Sequence, residues 1–369
     1  MVKVKEVNCM DFFSSSKNGF KNVNRSTRDI GISISETEYV DLASECSRFH
    51  SKRGYIMSSL TKEEEDFPLA FSMVVYKDIE MVERLLRAIY RPQNYYCVHV
   101  DRKTPNTFYS ALSAIVRCFP NVFILANRID VVWGKYSVLE PELLCMAELW
   151  KYSKWKYFIN LTGQEFPLKT NFELVRILKA YNGAVDVSTM RKRINLQRWK
   201  NSTAPRGLLT MKGPVHIVVH REFVDYVLHN DTASALLHWT KSTLIPDETF
   251  FATLNANPQL GIKGTYTGDP ELTKTRPFIA RYKIRQWMDN ASCAGEYLRG
   301  VCILTTGDLP RLGKAHEMFA NKFFLHQDRL VIGCLEEKIF NDTRDEFTGA
   351  KTFDTSYYSQ LDFVKYQVA

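Results

Sequence analysis

Residues 69–161 alternate between short apolar runs and longer segments whose apolar residues recur at helical spacing. The predicted strands are residues 69–76, 95–100, 122–126 and 157–161. The predicted helices are residues 79–89, 112–119 and 139–152. Strands that are apolar throughout are typical of sheets buried on both faces. The alternation therefore predicts an α/β fold with a mostly parallel sheet flanked by helices and joined by right-handed crossovers.

Ligands of such sheets bind beyond the carboxyl ends of the strands. Val74 and Tyr76 lie at the end of the first predicted strand, and Asp101 follows the second. A carboxylate there suits hydrogen bonds to a nucleoside, although a turn residue is an equally good interpretation of Asp101. The chain contains no Gly-x-Gly-x-x-Gly motif and no P-loop, which argues against a dinucleotide enzyme or an NTPase.

Net charge, cysteine content and glycosylation tripeptides indicate which partners and which cellular compartment fit this chain. The formal net charge is +8, but no Lys/Arg run is long enough to indicate nucleic-acid binding, and an anionic small ligand fits the charge equally well. Eight cysteines without zinc spacing predict either four disulfides in an oxidising compartment or eight buried thiols. Six Asn-x-Ser/Thr tripeptides favour the first interpretation, and the one at Asn160 lies in a predicted core strand.

The chain divides into four predicted segments. Residues 1–55 are a polar, stem-like segment with only Cys9 and Cys46 as anchors. Residues 56–168 form the half with the alternating pattern, residues 169–335 a more irregular half, and residues 336–369 a C-terminal extension. No stretch has the length and apolar composition of a membrane helix or a signal peptide. A secretory protein with this sequence would need a targeting segment outside the chain.

Pro246, Asp247 and Glu248 precede the apolar residues Phe250 and Phe251. Proline suits the first turn of a helix, and so do carboxylates. The stretch therefore predicts two carboxylates at the rim of a rigid element, where one of them could act as a general base. A solvated helix cap is the alternative interpretation.

Several blocks of the chain resemble one family. They are residues 71–75, 85–94, 96–103, 159–171, 246–248, 307–309 and 319–323. They resemble the β-1,6-N-acetylglucosaminyltransferases that branch O-glycans (core-2) and polylactosamine (I-branching), a family (glycosyltransferase family fourteen) that also contains the peptide O-xylosyltransferases. The resemblance runs in order from about Cys46 to Cys334, includes the stem only weakly and does not extend to the tail.

The resemblance implies a GT-A-type glycosyltransferase fold and a donor-binding first half followed by an acceptor-binding, catalytic half. It also implies inversion at the anomeric carbon, UDP-GlcNAc as donor and no metal or other cofactor. The chain has no Asp-x-Asp motif, so cations of the protein must neutralise the leaving diphosphate. The resemblance gives this role to Arg299, just before Cys302, and to Lys322 in the block of residues 319–323, each of which would otherwise be interpreted as a surface cation. Val74, Tyr76 and Asp101 complete the expected donor site.

The resemblance also implies the catalytic and acceptor residues. Glu248 is the expected base, because direct displacement needs one carboxylate to take the hydroxyl proton; Asp247 is expected to cap the helix. The expected acceptor residues are Asp186, Arg198, Arg285 and Trp287. Arg285 stands where an aromatic residue is usual, a departure that concerns the acceptor and not the donor.

The family's disulfide pattern implies the pairs Cys9–Cys334, Cys46–Cys118, Cys97–Cys145 and Cys293–Cys302, whereas cysteine spacing alone leaves 105 pairings open. The leading hypothesis is a core-2-type enzyme that forms a β-1,6 branch on a galactose or GalNAc unit of a glycoprotein O-glycan. The alternatives are I-branching or peptide O-xylosyltransferase-like specificity, or a silent glycan-binding relative. We expect a type II membrane protein of the Golgi lumen whose anchor lies outside this chain, with a homodimer as a candidate assembly.

Overall fold

A computed structural model describes residues 4, 7–14, 33–190, 196–200, 202–269, 279–287 and 291–369. The helices of these ranges are α1 (Cys9–Phe13), α2 (Glu36–Leu42), α3 (Cys46–Arg53), α4 (Lys62–Glu65), α5 (Ile79–Ile89), α6 (Asn106–Val116), α7 (Glu140–Trp150), α8 (Asn171–Tyr181), α9 (Arg221–His229), α10 (Asp231–Thr240), α11 (Phe250–Asn255), α12 (Leu309–Leu312), α13 (Arg329–Phe347), α14 (Ser356–Ser359) and α15 (Asp362–Lys365). The strands are β1 (Leu69–Val75), β2 (Tyr95–Val100), β3 (Val122–Ile124), β4 (Tyr157–Thr162), β5 (Glu165–Pro167), β6 (Asp186–Val187), β7 (Ile217–His220), β8 (Arg281–Tyr282), β9 (Tyr297–Leu298), β10 (Val301–Cys302) and β11 (Phe319–Asn321).

The central sheet has the strand order β3-β2-β1-β4-β7-β6. The strands β3, β2, β1 and β4 are parallel, and β7 and β6 extend the sheet in antiparallel pairings. In the middle strand, Met73 pairs with Val98 of β2 and with Leu161 of β4. The predicted α/β fold with a mostly parallel sheet is confirmed. The sequence pattern does not reveal β6 and β7, because strands of two and four residues are too short to show a period.

Helices cover both faces of this sheet. Helices α5 and α6 pack against the face that carries Phe71 and Met73, and α7 and α9 pack against the face that carries Ala70 and Phe158. Burial on both faces explains why the strands are apolar at nearly every position. The turns after β1 and β2 are therefore left at the carboxyl edge of the sheet, where Tyr76 and Asp101 lie.

A second, smaller sheet has the order β5-β11-β8 and brings distant parts of the chain together. The Nε of Arg281 lies 2.7 Å from an oxygen of Glu165, and the side-chain amide of Asn321 donates to the other oxygen at 3.3 Å. The hairpin β9–β10 lies nearby. Its turn residues Arg299 and Gly300 both have positive φ, 54° and 73°, which is the conformation of a two-residue hairpin turn. This turn presents the side chain of Arg299.

The prediction that Cys9 and Cys46 are the only anchors of the N-terminal segment is wrong. Tyr39 of α2 and Phe49 of α3 are both fully buried in the main core. The hydroxyl of Tyr39 donates to Glu83 of α5 at 3.0 Å. The polar composition of residues 1–55 does not indicate these contacts. One buried aromatic residue is enough to anchor each of the two short helices, and a single residue hardly changes the composition.

The C-terminal extension packs against the catalytic halves. Tyr358, Leu361 and Phe363 are buried in the main core. The carbonyl of Val368 accepts a hydrogen bond from the Gly264 amide at 2.8 Å. The predicted extension is therefore part of the folded domain.

The structure contains the same four disulfides that the resemblance implies. Cys97 and Cys145 join β2 to α7, so this bond links the sheet to one of its covering helices. Cys9 and Cys334 join α1 to α13 across 325 positions of sequence. All eight cysteines are bonded, so none is a free thiol.

Asn160 of β4 is 2% exposed. Its amide nitrogen donates to Val215 and its oxygen accepts from Ile217, both at 2.8 Å, so the folded protein offers no glycan acceptor there. The asparagines Asn24, Asn201 and Asn290 of three other tripeptides lie outside the described residues. Within the described part of the chain, no helix has the length and apolar composition needed to cross a bilayer.

Candidate active site

Glu248 ends a 3₁₀ helix (Pro246–Glu248) that three backbone hydrogen bonds fix in place. The Ile245 amide donates to Gly134 at 3.0 Å, the Leu244 amide to Arg198 at 2.8 Å, and the Gly213 amide to Glu248 at 2.8 Å. A Cβ on Gly213 would lie 2.0 Å from the carbonyl oxygen of Ser188. Only glycine allows this close approach, so the position of the Glu248 backbone depends on it.

Two cations contact the carboxylate of Glu248. An Arg198 guanidinium nitrogen lies 2.8 Å from Oε2, and the Lys212 ammonium lies 3.6 Å from the same oxygen. The Glu248 side chain is 31% exposed, so it is neither buried nor freely solvated. The indole of Trp199 donates to Thr249 at 3.2 Å and so fixes the short helix (Leu196–Trp199) that carries Arg198. Glu248 is therefore an oriented carboxylate with one side open, as a general base requires.

The prediction that Asp247 caps the helix is wrong. The N-cap residues of the 3₁₀ helix and of α11 are Ile245 and Thr249. Asp247 is instead 8% exposed, and burial together with the charge of Glu248 raises its pKa to about 7. Pro246 does begin a helical element, as predicted, but a 3₁₀ turn precedes the α-helix.

The residues predicted to bind the donor nucleoside lie at the carboxyl edge of the sheet. The Asp101 amide donates to the Val75 carbonyl at 3.0 Å, and the hydroxyl of Thr104 donates to the Tyr76 carbonyl at 3.2 Å. These bonds join the turns after β1 and β2. Asp101 is 7% exposed and accepts from the Lys103 amide at 2.9 Å, so it also serves the turn, and its donor role stays a prediction. Val74 is half-buried next to this turn.

Three cations gather beside this edge. The ammonium of Lys322 donates to the carbonyl of Leu298 in the β9–β10 hairpin at 3.3 Å. Burial lowers the pKa of Lys322, and the positive charges of Arg299 and Lys77 lower it further. The Lys77 ammonium also lies 4.3 Å from the ring centroid of Phe324. A partly desolvated group of cations is a favourable site for a diphosphate.

The turn around Trp133 and Gly134 connects this cation cluster to Glu248. The Arg299 guanidinium lies 5.9 Å from the ring centroid of Trp133, within the range of a cation–π contact. Gly134 in turn accepts the hydrogen bond from Ile245. A chain of contacts therefore links the predicted base to the predicted phosphate-binding cations.

The predicted acceptor residues Arg285 and Trp287 lie on a segment that pairs with β10. The Trp287 ring is 79% exposed and stands against Gly300, where an added Cβ would lie 3.1 Å from the ring. Asp186, in contrast, is 1% exposed and accepts from Tyr181 and from the Ile279 amide, both at 3.2 Å. Burial raises the pKa of Asp186 to about 7. Its contacts are those of a core residue, and its acceptor role stays a prediction.

Sequence reasoning assigned no role to three cations near these residues: Lys77, Lys212 and Lys283. Lys77 directly follows Tyr76 at the end of β1, so its position was a usable signal. Lys283 stands two positions before Arg285, and the intervening Ile284 is buried in the core, so alternation places both cations on one face. Nothing in the sequence places Lys212 beside Glu248.

Comparisons with known proteins show which family the sequence resembles. Residues 69–313 match the family model "Core-2/I-Branching enzyme". The chain is 37% identical over 328 residues to a human protein named beta-1,3-galactosyl-O-glycosyl-glycoprotein beta-1,6-N-acetylglucosaminyltransferase, covering 82% of this chain and 76% of that protein. A protein of the same name from bovine herpesvirus 4 is 38% identical over 330 residues, 82% of this chain and 74% of the viral protein.

One solved structure is similar at a lower level. It is a mannosyltransferase from Pyrobaculum calidifontis, with a TM-score of 0.28 and 13% identity, covering 55% of this chain and 62% of its own. Similarity this weak adds nothing to the description of the site.

Proposed function

The chain belongs to the core-2/I-branching enzyme family of glycosyltransferases, and we propose that it moves GlcNAc from UDP-GlcNAc to the 6-hydroxyl of a galactose or GalNAc unit of an O-glycan. The product would be a β-1,6 branch of the core-2 type. The observation that carries the proposal is the Arg198–Glu248 contact at 2.8 Å, which orients one half-exposed carboxylate in a site that also contains a separate cluster of cations.

The mechanism that fits this arrangement is a direct, inverting displacement. Glu248 accepts the proton of the acceptor hydroxyl while its oxygen forms a bond to C1 of GlcNAc. The bond from C1 to the β-phosphate oxygen breaks, and its electron pair leaves with UDP. A single base suffices, because no covalent intermediate forms.

The leaving diphosphate gains negative charge, and fixed cations are suited to stabilise it. Arg299 and Lys322 are the candidates, with Lys77 beside them. Preorganised charges that face developing charge lower the barrier without reorganisation. Together with the missing Asp-x-Asp motif, this arrangement supports metal-independent transfer.

The test is product analysis with a small donor and acceptor panel. We expect UDP-GlcNAc and a Galβ1-3GalNAc glycoside to give a branched product whose new linkage is β-1,6 by NMR. Use of acceptors that end in GlcNAcβ1-3Gal would indicate I-branching specificity instead. Transfer from UDP-xylose to a peptide serine would indicate xylosyltransferase-like specificity, and no transfer from either donor would indicate a silent relative.

Chelation is expected to leave the activity essentially unchanged. Arg299 and Lys322 provide the positive charge that a divalent metal would otherwise supply. The measurement is the initial rate after dialysis against EDTA, with and without added Mn²⁺. A large loss that Mn²⁺ restores would contradict the proposed mechanism.

Lys322→Ala is expected to weaken UDP binding by about 10- to 100-fold, because charge-assisted hydrogen bonds contribute about 1.5–3 kcal/mol. The affinity for UDP measured by calorimetry checks this. Lys314→Ala is the control, since Lys314 is an exposed lysine that lies near Met10 and Phe13 of α1. Equal UDP affinity in the two variants would remove Lys322 from the donor site.

We also propose that the protein works in the Golgi lumen as a type II membrane protein. Four disulfides fit an oxidising compartment. The relatives are named for transfer to glycoproteins. Immunofluorescence of the full-length protein against Golgi and cytosolic markers tests the location.

A further inference from the structure

The surroundings of Glu248 carry more positive charge than a neutral sugar acceptor would need. Arg198 and Lys212 contact the same carboxylate oxygen. Lys283 also interacts electrostatically with Glu248. Three basic side chains therefore act on one carboxylate, that of the proposed base.

The neighbouring acidic groups do not balance this charge. Glu165 is fully buried, and Arg281 occupies one of its oxygens at 2.7 Å. Burial and the charge of Glu248 raise the pKa of Asp247 to about 7, which favours its neutral form. Arg198 and Lys212 therefore share Glu248 as an ion-pair partner, and Lys283 interacts with it as well.

Among Arg198, Lys212 and Lys283, only Lys283 has no close carboxylate partner among the described residues. It is half-buried, and within the described ranges no Asp or Glu oxygen lies within 4.0 Å of its ammonium nitrogen. Burial lowers the pKa of Lys283 to about 7, against the opposing effect of Glu165, and the charge of Arg285 lowers it further. Burying an ammonium without a counter-charge is unfavourable. A bound anion would remove that cost.

The imbalance increases during the reaction. When Glu248 takes the proton of the acceptor hydroxyl, it loses its negative charge, while Arg198, Lys212 and Lys283 remain around it. A negative charge on the acceptor itself would offset these cations at that moment. Interactions that strengthen toward the transition state raise the rate and not only the affinity.

We propose that the acceptor of this enzyme carries an anionic group, a carboxylate or a sulfate next to the galactose or GalNAc unit that is branched, and that Lys283 and Lys212 bind it. This inference rests on the proposed function. Lys283 and Lys322 follow the paired strands β8 and β11, but their charged neighbours differ. Lys283 interacts with Glu165 and Arg285, whereas Lys322 interacts with Arg299 and Lys77.

The experiment compares three acceptors with the full chain and UDP-GlcNAc. They are a neutral Galβ1-3GalNAc glycoside, the same glycoside with sialic acid on the galactose, and the same glycoside with a sulfate ester on the galactose. We expect at least one anionic acceptor to exceed the neutral one by about tenfold in kcat/KM, as one charge-assisted contact would give. The sialylated and sulfated arms show which anion is used. The preference is expected to shrink with added salt.

Two substitutions locate the anion site. Lys283→Met removes the charge at similar length and is expected to reduce the anionic preference to within about twofold, whereas Lys283→Arg is expected to retain it. Lys151→Met is the control, because Lys151 is an exposed lysine that pairs with Glu148 at 2.6 Å on α7. UDP affinity is expected to be the same in all three variants.

A wild-type enzyme that uses the neutral acceptor as well as or better than both anionic ones would overturn the inference while leaving the proposed function intact. Lys283→Met would overturn the assignment of the site if it lowered UDP affinity, or if it lowered kcat/KM equally for neutral and anionic acceptors. Absence of transfer to all three acceptors would count against the proposed function itself.

Discussion

Glu248→Gln is expected to lower kcat by a factor of about 10²–10⁴, the range that a positioned general base supplies. Glutamine preserves the size of the side chain and can still accept a hydrogen bond from Arg198, which now lies 2.8 Å from the carboxylate. It cannot take the proton of the acceptor hydroxyl. The measurement is the rate of GlcNAc transfer at saturating donor and acceptor.

UDP affinity is the control for this substitution. The proposed donor cations Lys322 and Arg299 do not contact the Glu248 side chain directly, so UDP should bind Glu248→Gln almost as it binds the wild type. Near wild-type transfer by Glu248→Gln would show that the base is another residue. Asp247 would then be the first candidate, because its pKa of about 7 suits proton transfer at neutral pH. Glu165 is a poor candidate, since it is fully buried and bound by Arg281.

Removing the Cys9–Cys334 bond by a double substitution to alanine is expected to lower the free energy of unfolding by about 6 kcal/mol in the chain-entropy model. The bond closes the longest loop in the molecule's disulfide set, with 325 positions between its cysteines. It also holds α1 against α12 and α13, where Cys9 and Phe12 are buried with Leu309 and Leu312. Denaturant unfolding of the oxidised proteins measures the loss.

The bond between Cys293 and Cys302 provides a contrasting control. It spans only nine positions, so its removal should cost about 2–3 kcal/mol in the same model. Because it encloses the hairpin turn that presents Arg299, we expect its loss to weaken UDP binding as well. Loss of Cys9–Cys334 should leave UDP affinity unchanged. Equal stability of the wild type and the Cys9/Cys334 variant would contradict the expected role of α1.

The sequence by itself determines the central sheet and the helices that cover it. Strands β1 and β2 begin where the apolar runs begin, and α5 covers the predicted residues 79–89. These elements are predictable because the spacing of apolar residues is visible within about ten residues of sequence. The resemblance also predicts roles for Glu248 and Lys322, which lie in matching blocks, and for Arg299. Asp247 was misinterpreted because the motif does not show that its side chain turns inward.

Only the tertiary structure decides which charges meet. Arg198 and Glu248 are fifty positions apart, and Glu165 and Arg281 are 116 apart. The burial of Lys283, and therefore its lowered pKa, depends on how the segment after β8 crosses the site. The free energy of an electrostatic interaction depends on the distance between the charges and on their desolvation. Both depend on contacts between residues that are far apart in sequence, which no local sequence pattern predicts. For that reason the sequence indicates the class of reaction, whereas the proposal of an anionic acceptor depends on the folded structure.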